Sequence, residues 1–388
     1  LESLEIMAGQ GVRFAMLTPY QAKRFREIGE DSWHDVGPKG IDPSMPYKIH
    51  LPNAGRTMSL FFYDGPISQA VAFEKLLSNG ERFARRLLDG FDHRRCGAQL
   101  VNISTDGETY GHHHRYGDMA LSYALHHIES NNLAQITNYG EYLENYPPTY
   151  EVEIVEDSSW SCVHGVERWK SNCGCNSGMN PGWSQEWRTP LRKALNWLRN
   201  TLSPQYEAKA GNLLKDPWVA RDDYISVVLD RSPENLNEFF KSHAARELNH
   251  EEQVTVLKML EMQRHAMLMY TSCGWFFDDI SGIETVQVIQ YAGRVIQLGE
   301  QLFGGSLESG FLKTLEQAKS NIPEHRNGAH IYNKFVKPAM VDLQKVGAHY
   351  AISSLFTGYS ERSKIYCYLV EQEDKRYFEA GNTKLAVG

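Results

Sequence analysis

The densest cluster of titratable side chains in this chain is Thr105-Asp106-Gly107-Glu108-Thr109-Tyr110-Gly111-His112-His113-His114. Asp106 and Glu108 are two residues apart, so on an extended backbone both carboxylates point to one face. One of them could give a proton to a leaving group and take it back, which is general acid–base chemistry. Gly107 and Gly111 let the backbone turn tightly and admit close approach. Asp-Gly is equally the mark of an Asx turn followed by an acid at a helix start, a purely structural reading. The position just after the apolar run Leu100–Ser104 tips the balance toward chemistry, because barrel-like α/β enzymes place reactive groups at strand C-terminal ends. Three adjacent histidines cannot all bind one ion, since neighbouring side chains diverge. His112 and His113 therefore read as hydrogen-bond partners of hydroxyl groups or of Asp106.

Other segments offer polar groups in promising company. Asp64-Gly65-Pro66 closes the run Met58–Tyr63 and either presents a carboxylate to the same rim or makes a turn. Ser272-Cys273-Gly274-Trp275-Phe276-Phe277-Asp278-Asp279 puts paired acids beside three aromatics, which suits the rim of a cleft or the cap of a helix. Trp160, Trp169, Trp183, Trp187 and Trp197 crowd five of the eight tryptophans into one stretch. Indole faces bury sugar C–H faces well, and they also hold down loops that lack regular structure. Of the six cysteines, Cys173 and Cys175, with Cys162 and His164 nearby, could in principle collect zinc. That spacing matches none of the common structural-zinc patterns, so packed thiols are expected, and no metal or other cofactor.

These groups need elements to hold them. Apolar runs at Val12–Leu17, Met58–Tyr63, Leu100–Ser104 and Val152–Val155 alternate with helix-like stretches Ile67–Leu77, Gly80–Leu88 and Gly117–Glu129. Alternation of this kind predicts βα units and a parallel sheet. Gly and Pro between Gly37 and Gly55 predict a long surface loop. From Glu186 onward, helical spacing takes over, as in Leu191, Ala194, Leu195 and Leu198, and again in Val254, Leu257, Leu260, Gln263, Met267 and Tyr270. The predicted fold is thus α/β plus all-α: a partial parallel (β/α) barrel over 1–158, a Trp-rich cleft loop over 159–187, and a helical bundle over 188–388 that runs into a further domain. Leu1 in place of Met, and a strand-like end at Leu385-Ala386-Val387-Gly388, predict a piece of a longer protein.

Composition narrows the function. Hydrophobic residues make up 41% and charged residues 23%, as in ordinary globular proteins. A net charge of −8 argues against phosphate tracking, so no nucleic-acid partner is expected. No run approaches the ~20 apolar residues of a membrane span, and no secretory signal is present, which predicts a cytoplasmic protein without a membrane partner. The cysteine count in so long a chain predicts reduced thiols. Oligomeric state is not legible.

Taken together, these motifs resemble glycoside hydrolase family 57, the amylopullulanase, glucan-branching and 4-α-glucanotransferase group. Thr105 to Gly111 is similar to that family's strand-end segment, whose Asp is the catalytic acid/base; the resemblance assigns that role to Asp106, with Glu108, His112, His113 and Asp64 around the substrate. Ser159-Trp160-Ser161, followed by His164 and Trp169, resembles its cleft lining, and Thr271–Asp279 resembles its helical aromatic segment, which implies that Trp275 and Asp278 also meet substrate. The likeness is greatest to a bacterial family-57-related subgroup of unsettled substrate. It implies an oligosaccharide or polysaccharide partner and a retaining α-glucan hydrolase or glucanotransferase. It also implies that the family's H-x-H strand and nucleophilic Glu precede Leu1, so that this piece alone is inactive. Two other readings stand beside it: a metal-dependent hydrolase of the deacetylase or mannosidase kind, using Asp106 and the three histidines, and a non-catalytic glucan-binding protein.

Overall fold

The structure, a computed structural model, describes residues 1–37, 40–53, 55–365 and 368–388. The chain divides into two compact units, Leu1–Val166 and Glu167–Gly388. Among the cysteines, Cys367 lies outside the described residues, as do parts of the predicted Gly37–Gly55 loop.

The first unit is built on a six-stranded sheet. Its strands are β1 (Phe14–Leu17), β2 (Ala22–Glu27), β3 (His34–Asp35), β4 (Tyr47–His50), β5 (Thr57–Phe62) and β6 (Tyr150–Ile154), in spatial order β1-β5-β4-β6-β2-β3. Pairs β1–β5 and β4–β6 are parallel; β4–β5, β2–β6 and β2–β3 are antiparallel. β5 shows why this sheet forms. Met58, Leu60 and Phe62 project into one core with Tyr47 and Ile49. Phe61 alternates to the other face, where its ring meets Phe14 edge-on at 5.9 Å and Tyr139 at 4.7 Å. A strand buried on both faces reads as a continuous apolar run.

Helices α1 (Glu2–Gly9), α2 (Gly65–Phe73), α3 (Gly80–Leu88), α4 (Gly117–Ser130) and α5 (Tyr139–Asn145) complete this unit. Asp64 caps α2 by accepting from Ile67 N at 2.8 Å, and Asn79 caps α3 by accepting from Arg82 N at 2.9 Å. Ile67, Val71, Leu77, Phe83, Ala124 and Ile128 form the second core, shared by α2, α3 and α4.

Two expectations are corrected. Residues 100–104 are extended but join no ladder. Leu100 N donates to Ser44 O, Asn102 O accepts from Asp64 N, and Ser104 N donates to the Ser68 hydroxyl, so the bonds go to the loop before β4 and to the start of α2 and not to a neighbouring strand. Within Gly37–Gly55 the structure places β4, an inner strand with Tyr47 fully buried. Its four residues are hidden in the sequence by the Gly and Pro around them.

The second unit is helical: α6 (Arg188–Ala210), α7 (Pro217–Asp223), α8 (Ile225–Leu229), α9 (Pro233–His243), α10 (His250–Leu268), α11 (Ile283–Phe303) and α12 (Leu307–Leu315) are followed by further helices and two hairpins. Leu191, Ala194, Leu195 and Leu198 are buried, as their spacing predicts. On α10 the helix is where expected, but its buried side is Val256, Met259, Leu260, Met262, Gln263 and Ala266. Val254 and Met267 lie outside. Met259 and Met262, on the buried side, are among the positions that the expected spacing leaves out. A parallel-containing sheet with helices, followed by a helical region, is the α/β plus all-α class expected.

Candidate functional site

The Asp106 loop rests on firm supports. Thr109 is buried at 2% exposure, and its N–H donates to Asp106 O. Gly111 N donates to Glu108 O, closing a single turn of 3₁₀ helix over Gly107–Tyr110, and His112 N and His113 N donate to the same carbonyl. Thr105 donates its hydroxyl to Tyr110 Oη at 3.1 Å, and the His114 ring pairs with Ala72 O at 3.0 Å. The extended segment before the loop is tied to Asp64, directly after β5, and Tyr63 N donates to Leu17 O at the end of β1. Asp106 therefore follows the C-terminal ends of a parallel strand pair, where such folds carry their chemistry. Its carboxylate is exposed and makes no cap to the turn it precedes. Glu108, His112 and His113 are exposed beside it, with the two imidazole rings 5.3 Å apart.

Other expected residues fall elsewhere. Asp64 spends one carboxylate oxygen on the α2 cap, which is the turn reading of that motif. Trp160 is 57% exposed. Trp169 is half-buried, its Nε1 donating to Ser272 O and its ring edge-on to Phe276. Two assignments are corrected. Trp275 is fully buried in the helical core and offers no face to a sugar. Asp278 is 3% exposed and accepts from Ser177 N, the Ser177 hydroxyl and Asn180 Nδ2 at 2.7, 2.6 and 3.3 Å. Burial pushes its carboxyl up, but these hydrogen bonds prevail and hold it below the usual range. It is a strut, and so is Asp279, which binds Ser281, Ser320 and Asn321.

The structure also gathers residues that sequence reasoning passed over. A cavity of 630 Å³ on the first unit is lined in part by Lys23, Arg26, Trp33, His50, Glu151 and Glu153. Arg24 and Arg26 face Glu153 and Glu151 across the β2–β6 pair, and both guanidinium groups lie over the Trp33 ring at 4.8 and 4.6 Å. A hydrogen bond from His50, aided by Arg26, holds the Glu151 carboxyl below its ordinary value. The period-two charge pattern in β2 and β6 was the available signal. Cys162, His164, Cys173 and Cys175, set aside in the sequence because their spacing fits no common zinc pattern, converge here, with all ligand atoms within 4.8 Å of one another. Among the described residues, Asp106 and the three histidines form no such group.

Residues 11–155 match the glycosyl hydrolase family 57 model, and residues 183–388 match the family described as a domain of unknown function (DUF3536). No curated protein matches the chain. Among solved structures, the chain is similar to an exo-type maltose-forming amylase from Pyrococcus sp. ST04, at 15% identity and a TM-score of 0.58, over 88% of this chain and 66% of that one. A fainter likeness, at 13% identity and a TM-score of 0.40, is to a 4-alpha-glucanotransferase from Thermococcus litoralis, over 78% of this chain and 40% of that one. This chain thus spans less than two thirds of either. The amylase shares the fold, in keeping with the sheet and helices described above. The DUF3536 match covers more than half of the chain, so the chain belongs to that family, and ahead of that domain residues 11–155 are family-57-like.

Proposed function

We propose that the first unit contributes the general acid/base of a retaining α-glucan hydrolase or glucanotransferase, and that this group is Asp106. The observation that carries the reading is an exposed carboxylate, uncommitted to the turn it starts, on an anchored loop inside the segment that matches family 57. In a retaining reaction a second carboxylate attacks the anomeric carbon while the acid protonates the departing glycosidic oxygen. Asp106 gives that proton, then removes one from the water or sugar hydroxyl that enters. The two carboxyls stand about 5–5.5 Å apart across the scissile bond. Glu108, His112 and His113 border the same patch and suit sugar hydroxyls, which accept and donate hydrogen bonds. Trp160, more than half exposed, has the ring type that stacks on sugar C–H faces. An α-glucan substrate follows from the family resemblance and from the maltose-forming amylase that shares the fold.

The test uses the full-length natural protein and maltooligosaccharides. Asp106→Asn is expected to lower kcat/KM by about 10²–10⁴-fold, the usual worth of a positioned acid/base. The loss should be smaller on an aryl glucoside whose leaving group needs no protonation. Unchanged turnover in Asp106→Asn would refute the assignment; binding without turnover by the unmodified protein would favour a glucan-binding role.

A further inference from the structure

We infer that Cys162, His164, Cys173 and Cys175 form a structural zinc site. Their Sγ and imidazole N atoms come from one uninterrupted stretch of chain, residues 162–175, and lie within 4.8 Å of one another. Around a tetrahedral zinc with bonds of about 2.0–2.3 Å, ligand atoms stand roughly 3.3–3.8 Å apart. Side-chain adjustments on the order of 1 Å close the difference. Three thiols and one imidazole are a donor set suited to zinc, and four protein ligands leave no open coordination position, which is the pattern of a structural ion.

The backbone is shaped for this convergence. Ser159 and Cys162 form an isolated bridge, Gly165 N donates to Cys162 O, and the Ser159 hydroxyl donates to Gly165 O. Gly165 has φ +81°, and a Cβ there would stand 2.4 Å from Asp157 O, so the tight return that carries His164 requires glycine. Gly174, at φ +80°, lies between Cys173 and Cys175 and turns the chain so that both thiols reach one point.

A second, independent observation concerns charge. Arg188 is fully buried, its Nη1 is 3.9 Å from Cys173 Sγ, and its Nε and Nη2 have no hydrogen-bond partner among the described residues. A buried guanidinium needs a nearby negative charge. Asp278 supplies one such charge, and a further negative charge at Cys173 would suit the Nε and Nη2 that are left without hydrogen-bond partners. When zinc binds, three thiol protons leave to solvent and three Zn–S bonds form with one Zn–N bond, so the complex of Zn²⁺ with three thiolates and a neutral imidazole carries one net negative charge. The stretch between 170 and 187 contains no helix or strand. Small loop-rich segments of this kind are commonly stapled by metal.

The test is metal analysis of the natural full-length protein, produced with zinc in the medium and purified without chelator. The expected result is about one zinc per chain. A mercurial reagent should release it in step with thiol modification, and removal by chelator should raise the reactivity of Cys162, Cys173 and Cys175 toward a disulfide reagent. Cys173→Ser combined with Cys175→Ser should lose the ion, whereas Cys273→Ser, at an exposed thiol outside the group, should keep it. The release and reactivity measurements use unmodified protein, so a variant that fails to fold does not decide the matter. Zinc below about a tenth of an equivalent after reconstitution, with thiol reactivity indifferent to chelator, would overturn the site. So would a disulfide between any two of the three cysteines in protein as isolated.

Discussion

The Asp106 loop and the Asp278-Asp279 turn look alike as sequence: acids beside glycine and aromatics at the end of an apolar element. In the structure they are opposites. Asp106 is exposed and leaves its carboxylate out of the turn, while backbone bonds to Glu108 O and buried Thr109 keep the loop in place. Asp278 and Asp279 are buried, and between them they accept from Ser177, Asn180, Ser281, Ser320 and Asn321. A carboxylate whose lone pairs are filled by its own protein is committed to architecture. One that is held by its backbone and open at its oxygens is available for a ligand.

That contrast can be broken by substitution, with activity and stability read separately. The largest effect should come from Asp106→Asn, which is expected to remove most activity while leaving the unfolding midpoint where it was; a fall in both would place Asp106 among the struts. Trp275→Ala should do the reverse, costing about 3–5 kcal/mol by deleting a fully buried indole, as urea unfolding would measure. If Trp275→Phe, which largely preserves the packing, raises KM for oligosaccharide without a change in stability, the indole reaches substrate after all. The smallest effect is expected at Asp64. Asp64→Ala removes the α2 cap and should cost about 1 kcal/mol with KM unchanged, whereas Asp64→Ser, which can still cap, should restore the stability.

Much of the frame was legible because burial leaves a period in sequence. Met58, Leu60 and Phe62 alternate with Phe61 as a strand requires, and the turn at Asp64 marks a helix start through its capping chemistry. What failed did so for physical reasons. Leu100–Ser104 is apolar because Val101 and Ile103 pack against the helical core, yet periodicity reports burial and not ladder bonding. β4 is too short to stand out among prolines and glycines, although its pairing with both β5 and β6 makes it central. At the site, Asp106 could be placed at a strand-like end, but nothing local distinguishes its open carboxylate from the filled ones of Asp278 and Asp279. Their partners lie about a hundred residues upstream in the case of Ser177, and in Ser320 and Asn321 in the other direction. The cysteine group was similarly visible as composition and invisible as geometry, since its spacing follows no common pattern and depends on the left-handed turns at Gly165 and Gly174.

Asn321 is the feature with the widest reach. Its N–H and side-chain amide bind Asp279, the same amide reaches Asp278 O and Ser184 O, and its Oδ1 accepts from Ser184 N. One side chain thus laces together loops that are far apart along the chain. Loops usually surrender their amide protons early and are cut first by proteases. Here the hydrogen-bonded Ser184 and Asn321 amides should exchange more slowly than those of the loop residues around them, a local contrast that deuterium uptake would measure.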